Sequence, residues 1–189
     1  ATTEIYTLSL HDALPISAYI DLNTSSVGTN VWIHYVVTSS GSSCVIYKNG
    51  SSATSTSYSG GRTHSDLYIG RRDNGNERFR GQIDQVRIFN KALSASEVTT
   101  LYNEVACEKT CTTDDNQLVS DCIAYYKLDG NAEDALNTYD GTPTNVSWTQ
   151  GRFGSAAGFN GTSSKVSTSA YGLSGNATYS FSGWFKLND

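Results

Sequence analysis

The sequence lacks long apolar runs and any excess of positive charge, and both absences limit what the chain can do. No stretch approaches the ~20 consecutive apolar residues that a membrane-spanning helix needs, so no membrane span is expected. Lysine and arginine total 13, aspartate and glutamate total 18, and the net charge is −5. A chain with this acidic balance is not expected to bind nucleic acid or an anionic membrane.

Proline is also scarce, with 2 residues, whereas the sequence has 17 glycines and 12 tyrosines. This composition favours many short strands joined by tight turns. Residues 30–38 (NVWIHYVVT) alternate, with His34 and Val36 on one face and Ile33 and Tyr35 on the other, which is typical of a strand. The dipeptide Asn49-Gly50 after the apolar residues 44–48 predicts a hairpin.

Residues 81–102 (GQIDQVRIFNKALSASEVTTLY) organise the rest of the chain, because a strand runs directly into a helix there. The near period-two pattern predicts two faces of the strand, one with Ile83, Gln85, Arg87 and Phe89 and the other with Asp84, Val86 and Ile88. Ser94 and Glu97 have the spacing of a capping box, which predicts a helix start at this point.

Three motifs resemble those of one family. Residues 81–98 are similar to the closing motif of laminin-G-like, concanavalin-type jelly rolls, while residues 124–141 (AYYKLDGNAEDALNTYDG) and 151–164 (GRFGSAAGFNGTSS) are similar to its opening motifs. The resemblance implies an all-β fold, an antiparallel concanavalin A-like lectin/glucanase sandwich with one short helix. The closing motif precedes the opening motifs, so the resemblance also implies two half-domains of a tandem array.

This order divides the chain into four parts. Residues 1–17 resemble a translated sequencing adapter and are interpreted as an artefact, residues 18–103 as the C-terminal half of one laminin-G-like domain, residues 104–122 as a cysteine-containing linker, and residues 123–189 as the N-terminal half of the next domain. Half a sandwich would expose its apolar inner face. Our hypothesis is therefore that the two halves fold together as a circular permutant, with the linker joining the natural termini.

Sequence patterns of catalysis are missing. The glucanases of the superfamily that the chain resembles use two carboxylates on one face of a strand, and no pair of glutamates here has that spacing. The sequence also has no Gly-x-Ser-x-Gly motif and no glycine-rich phosphate loop. We predict a protein without catalytic residues.

The family resemblance implies a Ca²⁺ site. Calcium is bound by several carboxylate and carbonyl oxygens, and the resemblance places Asp84, Asp129, Asn160 and Gly161 as its ligands. Alternatively, Asp129-Gly130 and Asn160-Gly161 are turn residues that tolerate left-handed backbone geometry.

A ligand site is predicted in the polar segment after residues 67–70. Carbohydrate sites combine an aromatic ring with planar hydrogen-bonding side chains in loops, and Tyr68, Arg71, Arg72 and Asn74 provide both. The alternative is that the two arginines flank a turn and are only solvated.

Three of the four cysteines lie in or next to the predicted linker. We expect a disulfide from Cys122 to Cys107 or Cys111, rather than a zinc site that would need a fourth ligand. Cysteines in a sequence of this composition favour an oxidising compartment. Cys44, on its strand, is predicted to be a buried thiol.

The functional expectation is a non-catalytic carbohydrate-binding or adhesion module of a multi-repeat extracellular or virion-surface protein, with a glycan or another cell-surface ligand as its partner. The motif at residues 124–134 resembles repeats of phage-like structural proteins. The alternatives are an accessory domain of a glycoside hydrolase or peptidase and a structural spacer that binds no ligand.

Overall fold

The computed structural model of the chain describes residues 6–8, 20–22, 28–41, 43–57, 66–71, 78–104, 120–169 and 177–188. Within these ranges the chain forms thirteen strands and one helix. In chain order these are β1 (Tyr6–Leu8), β2 (Ile20–Leu22), β3 (Ile33–Ser40), β4 (Ser43–Lys48), β5 (Ser51–Ser57), β6 (Asp66–Ile69), β7 (Arg80–Phe89), α1 (Ala95–Tyr102), β8 (Cys122–Tyr126), β9 (Thr142–Thr144), β10 (Ser147–Gln150), β11 (Ser155–Asn160), β12 (Lys165–Ser169) and β13 (Thr178–Leu187).

Two antiparallel sheets build the sandwich, which is the predicted all-β fold. The larger sheet has eight strands in the order β10-β11-β7-β13-β3-β4-β5, and β8 pairs with β7 on the same edge as β11. The smaller sheet has the order β6-β12-β9. Strands β1 and β2 pair only with each other among the described strands, and β1 lies within the segment interpreted as adapter-derived.

Strands from both predicted half-domains share each sheet. Strand β13 lies between β7 and β3, so that Trp184 stands opposite both Asp84 and His34. In the smaller sheet, β12 pairs with β6, and Val166 lies opposite Ile69. This pairing is the arrangement that the hypothesis of two halves folding together requires, whereas the bounds of the four predicted segments stay predictions.

The main apolar core lies between the two sheets. Residues of both sheets meet there, among them Ile83, Phe181 and Phe185 from the larger sheet and Leu67 and Val166 from the smaller one. A second apolar cluster forms on the opposite face of the larger sheet, where helix α1 packs Val98 and Leu101 against Val36, Tyr47 and Phe89. The larger sheet is therefore covered on both faces, which explains why its strands are apolar on both sides.

The predicted alternation in β7 is wrong beyond Asp84. Ile83, Val86 and Ile88 all contribute to the core between the sheets, although the sequence pattern placed Ile83 opposite the other two. The cause is a β-bulge: the register with β13 shifts between Ser182 and Trp184, and Gln85 has a φ of 53°. A bulge inserts one extra residue into a strand, so the residues after it change face.

Two local predictions are confirmed. Asn49 and Gly50 connect β4 to β5 with φ values of 50° and 78°, which is the left-handed geometry of a tight hairpin turn. The side chain of Ser94 accepts a hydrogen bond from the Glu97 amide, and the Glu97 carboxylate accepts one from the Ser94 amide. This capping box begins helix α1 at Ala95.

Candidate functional site

The predicted metal ligand Asp84 holds the turn that leads from β10 into the first residue of β11, residues 151–155. Its side chain is fully buried. Asp84 Oδ2 accepts hydrogen bonds from the amides of Arg152 (2.7 Å) and Phe153 (2.9 Å). Its second oxygen, Oδ1, has no hydrogen-bond partner among the described residues. A buried carboxylate oxygen without a partner is costly, and a cation would satisfy it.

Asp129 holds the other end of the same turn. Its Oδ1 accepts the Ser155 amide at 2.7 Å, and its side chain is exposed to solvent. Both glycines of the turn lie against these carboxylates: a Cβ at Gly151 would come within 2.6 Å of Asp84 Oδ2, and a Cβ at Gly154 would collide with Asp129 Oδ1. The structure therefore brings two of the four predicted metal ligands together.

Backbone strain lies directly beside each of the two carboxylates. Gln85 and Leu128 both have positive φ, 53° and 60°, which is unfavourable for residues with a Cβ. The Gln85 side chain is held by Tyr125, whose hydroxyl donates to Gln85 Oε1, while Leu128 is fully buried in the core. Packing and hydrogen bonds thus fix two strained residues that orient the neighbouring carboxylates.

The environment of Asp84 disfavours its charged form. The pKa of Asp84 is raised to about 6, mainly by burial and in smaller part by the negative charge of Asp129, whereas hydrogen bonds from the two turn amides and the Gln85 side chain act in the opposite direction. A divalent cation between the two carboxylates would reverse this effect, because it favours the ionised form of both.

Asn160 and Gly161 lie at the far end of β11. Asn160 is paired with Arg80, and since Asp84 is four residues further along β7, the two positions are roughly 13 Å apart at ~3.3 Å per residue. Asn160 Oδ1 accepts amide hydrogen bonds from Thr162 and Ser163, and so it stabilises its own turn. In this structure Asn160 and Gly161 occupy the turn role that was the alternative to metal binding.

The remaining acidic residues do not extend the pair into a larger cluster. Among the described residues, no three His, Cys, Asp or Glu side chains come together as a metal site. Asp84 and Asp129 fit the hard-oxygen preference of calcium, so that they are the two residues of the predicted set that would hold the ion.

The predicted ligand residue Tyr68 lies on the outer face of the smaller sheet. The guanidinium carbon of Arg71 is 5.3 Å from the centroid of the Tyr68 ring. The ammonium nitrogen of Lys165, from β12, is 5.1 Å from the same centroid. Arg72 and Asn74 lie outside the described residues. No sequence pattern indicated Lys165, because only the pairing of β6 with β12 brings it to Tyr68.

A second group of aromatic side chains surrounds Trp184 on the face of the larger sheet that α1 covers. The ring of Tyr102 stacks on Trp184 with centroids 5.8 Å apart, and the Arg152 guanidinium lies 4.8 Å from the Trp184 ring. His34 packs beside Trp184 and its Nε2 is 2.9 Å from Ser182 Oγ. Burial lowers the pKa of His34 to about 3, with a further contribution from Arg87. His34 is therefore a packed, neutral imidazole at pH 7.

Two polar networks were not found from the sequence. Arg87 makes a bidentate ion pair with Glu104 (2.6 and 3.0 Å) and donates to the Tyr125 hydroxyl, so it joins the two halves of the chain. The carboxylate of Asp134 accepts four amide hydrogen bonds, from Tyr125, Leu136, Thr138 and Tyr139. Both groups stabilise the fold, and neither shows a periodic signal in the sequence.

The predicted disulfide at Cys122 is not formed in this structure. Cys122 is a free thiol whose Sγ donates to the Ala124 carbonyl and which packs against the cluster under α1. Burial raises its pKa to about 11, which suppresses the thiolate needed for exchange. Cys107 and Cys111 lie outside the described residues. Cys44 is a buried free thiol, as predicted.

Comparison with known proteins adds one finding to this geometry. Residues 7–99 match the family model described as the concanavalin A-like lectin/glucanases superfamily, of laminin G type. A search of curated proteins and a search of solved structures each found no match. Within the described part of the chain, no helix has the length and hydropathy of a membrane span.

Proposed function

Because residues 7–99 belong to the concanavalin A-like lectin/glucanase superfamily, we propose that this chain is a non-catalytic carbohydrate-binding module. The observation that carries the proposal is the match to a superfamily whose name includes lectins. The β-sandwich fold alone would not determine the function. The finer proposal is an adhesion module of a multi-repeat extracellular or virion-surface protein, in which the sandwich presents its outer faces to glycans.

We further propose that Ca²⁺ binds between Asp84 and Asp129. The supporting observations are the unpartnered Oδ1 of Asp84, the two carboxylates that accept hydrogen bonds from one turn, and the strained residues beside each of them. The ion would supply positive charge that holds the 151–155 turn, while Asp84 and Asp129 supply its carboxylate oxygens. The metal would then stabilise the edge formed by β10 and β11.

The calcium proposal is tested by thermal unfolding of the full chain with calcium and with a chelator. We expect calcium to raise the Tm of the parent protein, and D84N and D129N to abolish that rise. The exposed Glu133 provides the control, because E133Q removes one acidic charge away from the turn. Equal stabilisation of D84N and the parent by calcium would overturn the proposed site.

The carbohydrate proposal is tested by a glycan-array screen of the full chain, again with calcium and with a chelator. Binding that disappears with the chelator assigns the metal to recognition, and binding that survives assigns it to stability alone. A folded sample that binds no glycan would contradict the proposal and favour the structural spacer. An accessory domain of a hydrolase or peptidase is distinguished by a catalytic domain in the same open reading frame.

A further inference from the structure

Strand β7 changes its neighbour on one edge at the point where Asp84 lies. Residues 80–83 of β7 pair with β11, whereas residues 86–89 pair with β8. Asp84 and Gln85 lie between these two ranges, and among the described strands neither β8 nor β11 is in register opposite them. The register shift with β13 and the positive φ of Gln85 fall at the same place. The geometry at this strand switch therefore depends on side-chain contacts.

The Gln85 side chain bridges the strand switch. It is buried, with 6% of its surface exposed. Its Oε1 accepts a hydrogen bond from the Tyr125 hydroxyl on β8, and its Nε2 donates one to the Lys127 carbonyl at 3.4 Å. Gln85 directly follows Asp84, and Lys127 precedes Asp129 by two residues. One amide group thus joins the two segments that carry the carboxylates of the proposed calcium site.

Arg87 fixes the direction of each hydrogen bond in this network. A guanidinium only donates, so the Tyr125 hydroxyl accepts from Arg87 Nη2 at 3.0 Å and donates its own proton to Gln85 Oε1. The nitrogen of the Gln85 amide is then the donor to the Lys127 carbonyl. Hydrogen bonds that run in one direction polarise and strengthen each other. The network therefore holds the Gln85 amide in one orientation.

We propose that Gln85 is a positioning residue of the calcium site between Asp84 and Asp129. Two carboxylates from distant segments bind one ion more tightly when their separation is fixed before binding. Gln85 fixes that separation, because its amide holds the segment of Asp129 against the strand of Asp84. The inference rests on the proposed calcium site and deepens it, since it names a residue that sets the affinity without contacting the ion.

The test is isothermal titration calorimetry of calcium with the metal-free full chain. Q85M keeps the length of the side chain and removes both hydrogen bonds, and Q85G also removes the strain of a positive φ. We expect both variants to bind calcium about five- to tenfold more weakly than the parent, which is the effect of one lost hydrogen bond on a dissociation constant. D84N, which lacks a proposed ligand, should show no binding.

A control variant separates positioning from stability alone. S94A removes the N-cap of helix α1, where the Ser94 hydroxyl contacts only Ser96 and Glu97 among the described residues. It should lower the Tm in chelator and leave the calcium dissociation constant unchanged. Q85G should instead lose calcium affinity, because relief of backbone strain offsets part of its lost bonding.

Hydrogen exchange in chelator provides a readout that does not need the metal. Three turn amides donate to the two carboxylates, those of Arg152, Phe153 and Ser155. Carboxylates that are no longer held at a fixed separation should protect these amides less, so their exchange should be faster in Q85M. The amides paired between β3 and β4 should keep the rates of the parent.

The outcomes separate this inference from the proposed calcium site. Calcium affinity and turn exchange that are unchanged in Q85M and Q85G, together with lost binding in D84N, would preserve the site and overturn the role of Gln85. A parent that binds no calcium would overturn both. Weakening by S94A equal to that by Q85M would also overturn the inference, because it would attribute the effect to stability. Circular dichroism shows that each variant is folded before titration.

Discussion

Asp84 and Asp129 both accept amide hydrogen bonds from one turn, residues 151–155, although they are 45 positions apart in the sequence with a predicted domain linker between them. Asp84, on β7, accepts hydrogen bonds from the amides of Arg152 and Phe153. Asp129, in the loop after β8, accepts one from the Ser155 amide. The same turn places the Arg152 guanidinium 4.8 Å from the centroid of the Trp184 ring. A change at either carboxylate should therefore affect the turn, the proposed calcium site and the aromatic surface together.

The first prediction concerns the pH dependence that Asp84 imposes. Its folded pKa, about 6, lies above the ordinary value of 3.8, so the folded state favours the protonated form. The resulting stabilisation is present at low pH and is lost as the pH rises through about 6. In chelator, the unfolding free energy of the parent should fall relative to that of D84N by about 2 kcal/mol between pH 4 and pH 7. Urea unfolding of both proteins at several pH values measures this difference in unfolding free energy. A difference that does not change with pH would contradict the prediction.

His34 should produce the opposite dependence. Burial holds its folded pKa at about 3, below the ordinary 6.5, so the unfolded state takes up the proton first as the pH falls. The stabilisation is present above pH 6.5 and is lost progressively towards pH 3. Relative to H34Q, the parent should lose about 3 kcal/mol between pH 7 and pH 4. Because His34 and Asp84 act in opposite directions over this range, only the comparison of each variant with the parent isolates its effect.

A third prediction uses two glycines that differ in their surroundings. Gly154 and Gly130 both have positive φ, 59° and 87°, so alanine at either position costs about 1 kcal/mol of backbone strain. A Cβ at Gly130 meets no atom within 4 Å, whereas one at Gly154 collides with the Asp129 carboxylate. G154A should therefore be less stable than G130A and should also lose the stabilisation by calcium that we propose. Similar melting temperatures for the two variants would show that the Asp129 contact is not tight.

The Arg87 network should contribute to stability across the two halves. Its side chain is only 11% exposed, and it joins Glu104 at the end of α1 to Tyr125 on β8. R87M would leave the Tyr125 hydroxyl and the Glu104 carboxylate without their cation, which should cost about 2–3 kcal/mol. The control is K91M, which breaks the surface pairs of Lys91 with Glu97 and Asp121 and should change stability little. Chemical denaturation measures how much unfolding free energy R87M and K91M each lose. Equal losses would contradict a special role for Arg87.

Sequence patterns predicted the local elements of this fold better than its site. The capping box at Ser94 and the hairpin at Asn49 depend on neighbouring residues, and the structure has both. The face of Val86 could not be predicted, because the bulge at Gln85 leaves no local pattern in the sequence and its side chain is held by the Tyr125 hydroxyl, forty residues away. For the same reason Lys165 was missed, since its position beside Tyr68 depends on long-range strand pairing.

The last prediction concerns the thiols. Cys44 and Cys122 are free, and burial raises the pKa of both to about 11, so few of their thiolates are present at neutral pH. Without reductant, native protein treated with an alkylating agent should leave both residues unmodified, and unfolding in denaturant should make both react. Peptide mapping by mass spectrometry locates the modified residues. A Cys122 that stays unmodified in denaturant until a reductant is added would instead show the disulfide to Cys107 or Cys111 that the sequence suggested, and would contradict the structure at this position.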